Sequence, residues 1–174
     1  MKTLRLCLAV ALLAVGLPFA AQAQVNVNVT VTVAQACSVS APVNANFGTQ
    51  TPLTTTNLIT AGSVTLTCNR GAAPLVSVDN GNYFSGTRRM KDGGTNYVAY
   101  NIMQPTLSGS DYTACPGTYG AGSAFGSAGD RLAAAAAFSG SGGPRTVNLC
   151  FQTSINESTV LATYSDTVQV SVGF

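Results

Sequence analysis

A valine occupies every second position from Val25 to Val33 in the stretch "QVNVNVTVTV" (24–33), with asparagine or threonine between. A period of two is the period of a β-strand, whose successive side chains point to opposite faces. One face of this strand is therefore all valine, and the other all amide and hydroxyl. Nine residues at about 3.3 Å each span on the order of 30 Å. Burying the valines contributes roughly 1.5–3 kcal/mol per side chain as an upper bound. Leaving them exposed makes the strand an aggregation liability. The valine face needs a partner, and the identity of that partner decides the architecture.

Two partners are open. The strand is either the first strand of its own sandwich or a strand given to another molecule. The linker "AQA" before Cys37 carries no Asn-Gly, Asp-Gly or similar pair of the kind a tight hairpin uses, so it suits a chain that leaves the domain. At the far end, "YSDTVQVSVGF" (164–174) alternates strictly, with Val168, Val170, Val172 and Phe174 in phase, and the sequence offers no further strand beside it. Without the valine strand, a sandwich has an open groove next to its last strand. One subunit's valine strand can then fill a neighbour's groove by strand addition. Such a contact is head-to-tail and does not close on itself, so it builds a fibre.

The first 23 residues read as an address. Lys2 and Arg5 form a positive start, "LCLAVALLAVGL" is a short apolar run, and "AQA" (21–23) is a small-x-small cleavage site. The apolar run falls short of the roughly 20 residues that span a bilayer. The reading is a secretory signal over 1–23, a donor strand over 24–34 and a β-domain over 35–174, with no membrane anchor in the mature chain. Cleavage removes two of the eight basic residues and leaves six against six acids. A neutral mature chain gives no electrostatic case for nucleic acid. It also removes Cys7 and leaves Cys37, Cys68, Cys115 and Cys150, an even number in an oxidising compartment, for which two disulfides and three connectivities are open.

Further alternating runs are "GSVTLTCNRG", "PLVSVDNGNYFSG", "TNYVAYNIMQP" and "RTVNLCFQTSI", separated by turn signals, and "ACSVSAPVNANFGTQTP" is a short strand running into a loop. Recurrent short strands without helical periodicity predict an all-β, antiparallel sandwich. "RRMK" (88–91) reads as a solvated loop, with an assembly contact as the alternative, and "DNGN" (79–82) as a hairpin turn. The Gly-, Ala- and Ser-rich stretch 115–144 leaves helix turn, poor strand and mobile loop open. Histidine is absent, which removes Ser-His and Cys-His nucleophile pairs. The acids Asp79, Asp92, Asp111, Asp130, Glu157 and Asp166 are scattered in turn-like contexts. No enzyme activity, no metal and no cofactor is expected. A carbohydrate-binding module is disfavoured by the lack of tryptophan.

"CSV" at Cys37, "NFG" (46–48), "GSVTLTC" ending at Cys68, "GTRRM" ending at Met90, "NYVAYNI" and the closing "YSDTVQVSVGF" stand in an order and spacing that resembles the spore coat protein U domain family, which includes the Csu-type pilins of archaic chaperone–usher systems. The resemblance implies an incomplete immunoglobulin-like antiparallel β-sandwich, completed by a donor strand from a neighbouring subunit. It implies a structural pilus subunit, forming homo- or hetero-polymers and supporting adhesion or biofilm formation. A periplasmic chaperone and an outer-membrane usher would be its assembly partners, and it would pass through the periplasm to the cell surface. Val25, Val27, Val29, Val31 and Val33 match the donor positions, Cys37 and Cys68 the first-to-second strand disulfide, and Val168, Val170, Val172 and Phe174 the groove-bordering, chaperone-facing last strand. A secreted coat or matrix protein of the same fold is the alternative. The chain departs from the family pattern in lacking a tryptophan after "YNIMQP" and in its Cys115, Cys150 and Gly/Ala-rich stretch.

Overall fold

The computed structural model describes residues 26–126 and 130–174. The expected signal segment, with Cys7, and the first positions of the valine strand, Gln24 and Val25, lie outside the described residues. The chain divides into a unit that ends at Val33 and a second from Ala34 to Phe174. The fold of the second unit follows.

The alternating runs form strands where their apolar phase meets a core. β1 (Cys37–Val43) pairs with β2 (Thr56–Cys68), β2 with β9 (Gly143–Ile155), β9 with β5 (Tyr97–Met103) and β5 with β4 (Arg88–Lys91), all antiparallel. The β2–β9 ladder is the spine of this sheet and runs in unbroken register from Thr56↔Ile155 to Cys68↔Gly143. β6 (Thr106–Ser108) and β7 (Asp111–Ala114) form a hairpin, and β7 touches β9 in parallel at Tyr112↔Val147. The second sheet is β10 (Val170–Gly173), β3 (Leu75–Val78) and β8 (Leu132–Ala133), again antiparallel. The protein is an all-β sandwich, as expected from the period-two runs.

The core lies between the sheets. Leu66, Ile102 and Val147 of the larger sheet face Val76 and Val78 of the smaller one, all at most 1% exposed. The 115–144 stretch adds to that core. After β8 it makes a single helical turn, α1 (Ala135–Phe138), and it buries Phe125, Ala134, Ala137 and Phe138. Of the three readings left open for this stretch, short strand and helix turn both occur, around a described part that packs rather than floats. A bridge between Cys115 and Cys150 ties the end of β7 to β9, and a second between Cys37 and Cys68 joins β1 and β2 at directly paired positions.

Two expectations fail. Residues 79–82 do not close a hairpin, because β3 pairs with β10 and β8 in one sheet while β4, the next strand, pairs with β5 in the other. Residues 88–91 are not a solvated loop but the edge strand β4, and Arg88 is buried. Its guanidinium donates to the carbonyls of Val78 (3.1 Å), Asp79 (2.8 Å) and Phe125 (2.8 Å). A buried cation is tolerated when it is hydrogen-bonded, and each of the three guanidinium nitrogens has a backbone oxygen here, one from β3, one from the turn after it and one from the 115–144 stretch. Burial pulls the Arg88 pKa down, while Tyr100, Asp79 and Asp166 push it back up.

Candidate functional site

Each sheet ends on a strand with an open outer edge. β1 ends the larger sheet and β10 the smaller, and among the described residues no strand pairs with the outer edge of either. The two lie beside each other. Along this seam runs a groove of about 870 Å³. A smaller recess of about 250 Å³ continues it between Val39 and Pro42 on one side and Val168 and Val170 on the other.

The floor of the groove is the side of the core that, among the described residues, no strand covers. Leu58 and Val64 of β2, Met90 of β4, and Leu149 and Phe151 of β9 line it. Val168, Val170 and Val172 are half-buried and pack against the same core, while Phe174 is exposed. The alternation of the last strand thus points its valines inward, with Ser171 outward against Ser77, their hydroxyls 2.9 Å apart.

The two rims differ in build. One is the 42–52 loop, which crosses close over β2 at Gly62. A Cβ there would lie 2.8 Å from the Val43 carbonyl oxygen and 3.1 Å from the Ala45 nitrogen, so only glycine admits this approach. The Thr60 hydroxyl holds the loop further along by donating to the Asn46 carbonyl at 3.0 Å. The other rim, 159–168, is pinned by polar groups. Ser165 and Lys91 exchange two backbone hydrogen bonds of 2.9 and 3.0 Å. Asp166 accepts from the Tyr100 hydroxyl at 2.6 Å, from the Asn82 amide at 3.0 Å and from its neighbour Thr167 at 2.8 Å. Asp79 accepts from the amides of Gly81 (3.0 Å) and Gln169 (2.9 Å). Burial, and then the hydrogen bond to Asp166, push the Tyr100 pKa well above that of an ordinary phenol.

Large apolar side chains stand exposed around the mouth: Val43 on one rim, Val160 and Leu161 on the other, with Leu161 at 95%. Val27, Val29, Val31 and Val33 are likewise exposed, at 77–91%, and 26–36 belongs to no strand. Among the described residues no three of His, Cys, Asp or Glu gather as metal ligands, and no helix is long and apolar enough to cross a membrane.

Of the last-strand residues in phase in the sequence, Val168 and Val170 line the groove, and Val172 and Phe174 do not. Tyr100, Asp79, Asp166, Met90 and Phe151 were not singled out. Phe151 and Tyr100 carried a signal as in-phase positions of alternating runs, but nothing in the sequence joins Tyr100 to an aspartate 66 positions away.

These features define a class: an antiparallel β-sandwich whose core stays open along the seam between its two terminal strands. A Spore Coat Protein U domain model matches residues 23–171, and the chain belongs to that family. Comparison with curated proteins returns no match. Among solved structures the chain is similar to one in the crystal structure of the CsuC–CsuE chaperone–tip adhesion subunit pre-assembly complex, from archaic chaperone–usher Csu pili of Acinetobacter baumannii. The identity is 21% and the TM-score 0.48, over 82% of this chain and 41% of that one. The chain therefore spans about two fifths of that chain's length.

Proposed function

We propose that this protein is a structural subunit of an extracellular pilus, polymerised by donor-strand exchange. The observation that carries the reading is the apolar groove between β1 and β10, floored by core side chains. The chain holds a matching element in 25–33, whose single apolar face and length on the order of 30 Å suit such a seam. Family membership supports the same reading. In it, 1–23 is a secretory signal, Val25, Val27, Val29, Val31 and Val33 enter a neighbour's groove, and the last strand, with Val168 and Val170, borders the groove that receives them. Before assembly a periplasmic chaperone occupies the seam, and an outer-membrane usher exchanges it for the next subunit. The fibre serves adhesion or biofilm formation at the cell surface. The role is structural rather than catalytic.

Deleting 25–33 from the exported chain tests this. The truncated subunit is expected to accumulate as a chaperone complex and to form no SDS-resistant polymer. Polymers of the truncated chain would overturn the proposal.

A further inference from the structure

β2 stops at Cys68, and the chain turns away through Asn69 and Gly71, with the Ala72 amide donating to the Asn69 carbonyl at 3.2 Å and Gly71 at φ +78°. The strand opposite should lose its partner at the same point, since Cys37 pairs with Cys68. It does not. The Asn69 backbone amide donates to the Ala36 carbonyl at 3.1 Å. The Asn69 side chain then takes over: its Oδ1 accepts from the Ala36 amide at 3.1 Å, and its Nδ2 donates to the Ala34 carbonyl at 2.7 Å. A carboxamide offers the same donor and acceptor as a peptide unit. Asn69 therefore stands in for the missing strand residue and carries the ladder back to Ala34, beyond the end of β2. Aspartate lacks the donor, glutamine places the amide one methylene too far, and alanine supplies neither group.

We propose that Asn69 is a positioning residue that fixes the root of the N-terminal strand, and through it the stiffness of the joint between successive subunits. The proposal rests on the fibre reading above. Three hydrogen bonds, beside the Cys37–Cys68 bridge, hold 34–36 to the domain. Val33, the last valine of the strand, directly precedes Ala34. A strand inserted in a neighbour up to Val33 leaves no free linker residue between the two subunits. Releasing 34–36 would add three hinge residues at every joint without touching the valine face or the groove.

The test compares the full exported chain with Asn69→Ala and Asn69→Asp. Hydrogen exchange of the 34–37 segment and the bending persistence length of fibres in electron micrographs are the two readouts. Asn69→Ala is expected to speed exchange at Ala36 roughly tenfold, the scale of one or two lost hydrogen bonds. It should also give fibres that assemble normally and resist SDS, yet bend more. Asn69→Asp, which keeps the bond to the Ala36 amide and sets a carboxylate against the Ala34 carbonyl, should fall between. Fibres of unchanged persistence length in Asn69→Ala would overturn the proposal, whether or not exchange rises. A wild-type chain that forms no fibre would instead overturn the pilin reading, and unchanged exchange at Ala36 would show separately that Asn69 does not hold the root.

Discussion

Tyr100 carries a polar tie from the buried core to the rim of an apolar groove. Its ring is buried in the sandwich and its hydroxyl reaches out to Asp166, which in turn receives the Asn82 amide across the turn after β3. Gly81 sits at φ +74° under the same carboxylate, and a side chain there would strike it. Beside the two Ser165–Lys91 backbone bonds, the Tyr100 phenol thus ties the groove rim to the core. That bond needs the proton on Tyr100, whose pKa in the fold lies above the ordinary value of 10.0. The sign follows: a raised folded pKa contributes stability that is complete below about pH 10 and is lost as pH climbs beyond it. Tyr100→Phe should cost about 1.5–3 kcal/mol at pH 7, the scale of a hydrogen bond to a charged acceptor. The gap between wild type and variant should narrow at pH 11, because the wild type then loses what the variant never had. Urea midpoints at pH 7, 9 and 11 measure this, and a gap independent of pH would refute it.

Among the elements, the 115–144 stretch is the one whose part in the fold depends most on a covalent tie. It fills the core with Phe125, Leu132 and Phe138 from a background of glycine, alanine and serine, and such a background has little intrinsic order to contribute. Removing Cys115 and Cys150 together, both to Ala, should lower unfolding stability by about 4 kcal/mol on loop-closure grounds. The loss should be local at first, with limited proteolysis cutting inside 116–142 before any other site. Removing Cys37 and Cys68 should cost a similar amount, since the separations are 35 and 31 residues, and should leave that stretch protected. Early cleavage elsewhere in the first variant would show that the bridge does not organise the stretch. The elements differed in how far sequence exposed them. β3, β5 and β9 announced themselves because their apolar phase coincides with the face they bury. β2 is longer than the run "GSVTLTC" and extends back through Gly62, where the 42–52 loop approaches its backbone closely. β4 was misread because two arginines and a lysine look solvated, and the carbonyls of Val78, Asp79 and Phe125, brought together by the fold, explain why Arg88 is not. Phe125, Leu132 and Phe138 supply most of the apolar bulk in their stretch, a clue to burial but not to what they meet. In each miss the deciding contact is non-local, and periodicity reports only on neighbours along the chain.

At the scale of the whole molecule, the open seam and the valine strand make a claim about faces that composition cannot imitate. In a strand of period two, one substitution can strike the apolar face while the next leaves it intact. Val29 and Thr30 are adjacent in sequence and near the middle of the strand. If the strand inserts with its valines against Leu58, Met90 and Phe151 of a neighbour, a carboxylate at position 29 must be buried without a partner in an apolar groove, which costs several kcal/mol. A carboxylate at position 30 faces away and stays in water. Val29→Asp should therefore abolish SDS-resistant polymers, and Thr30→Asp should preserve them, although the two variants have the same net charge. The measurement is an unheated SDS gel of exported material, read as a ladder against a monomer band. Loss in both variants would point to charge or export as the cause, and survival in both would mean that the valine face is not what joins the subunits. The opposite pattern, with only Thr30→Asp failing, would place the strand in the groove turned over, with asparagine and threonine against the core. That arrangement is excluded on energetic grounds unless each buried amide and hydroxyl finds a partner, and the apolar floor that Val64, Leu149 and Phe151 provide offers none.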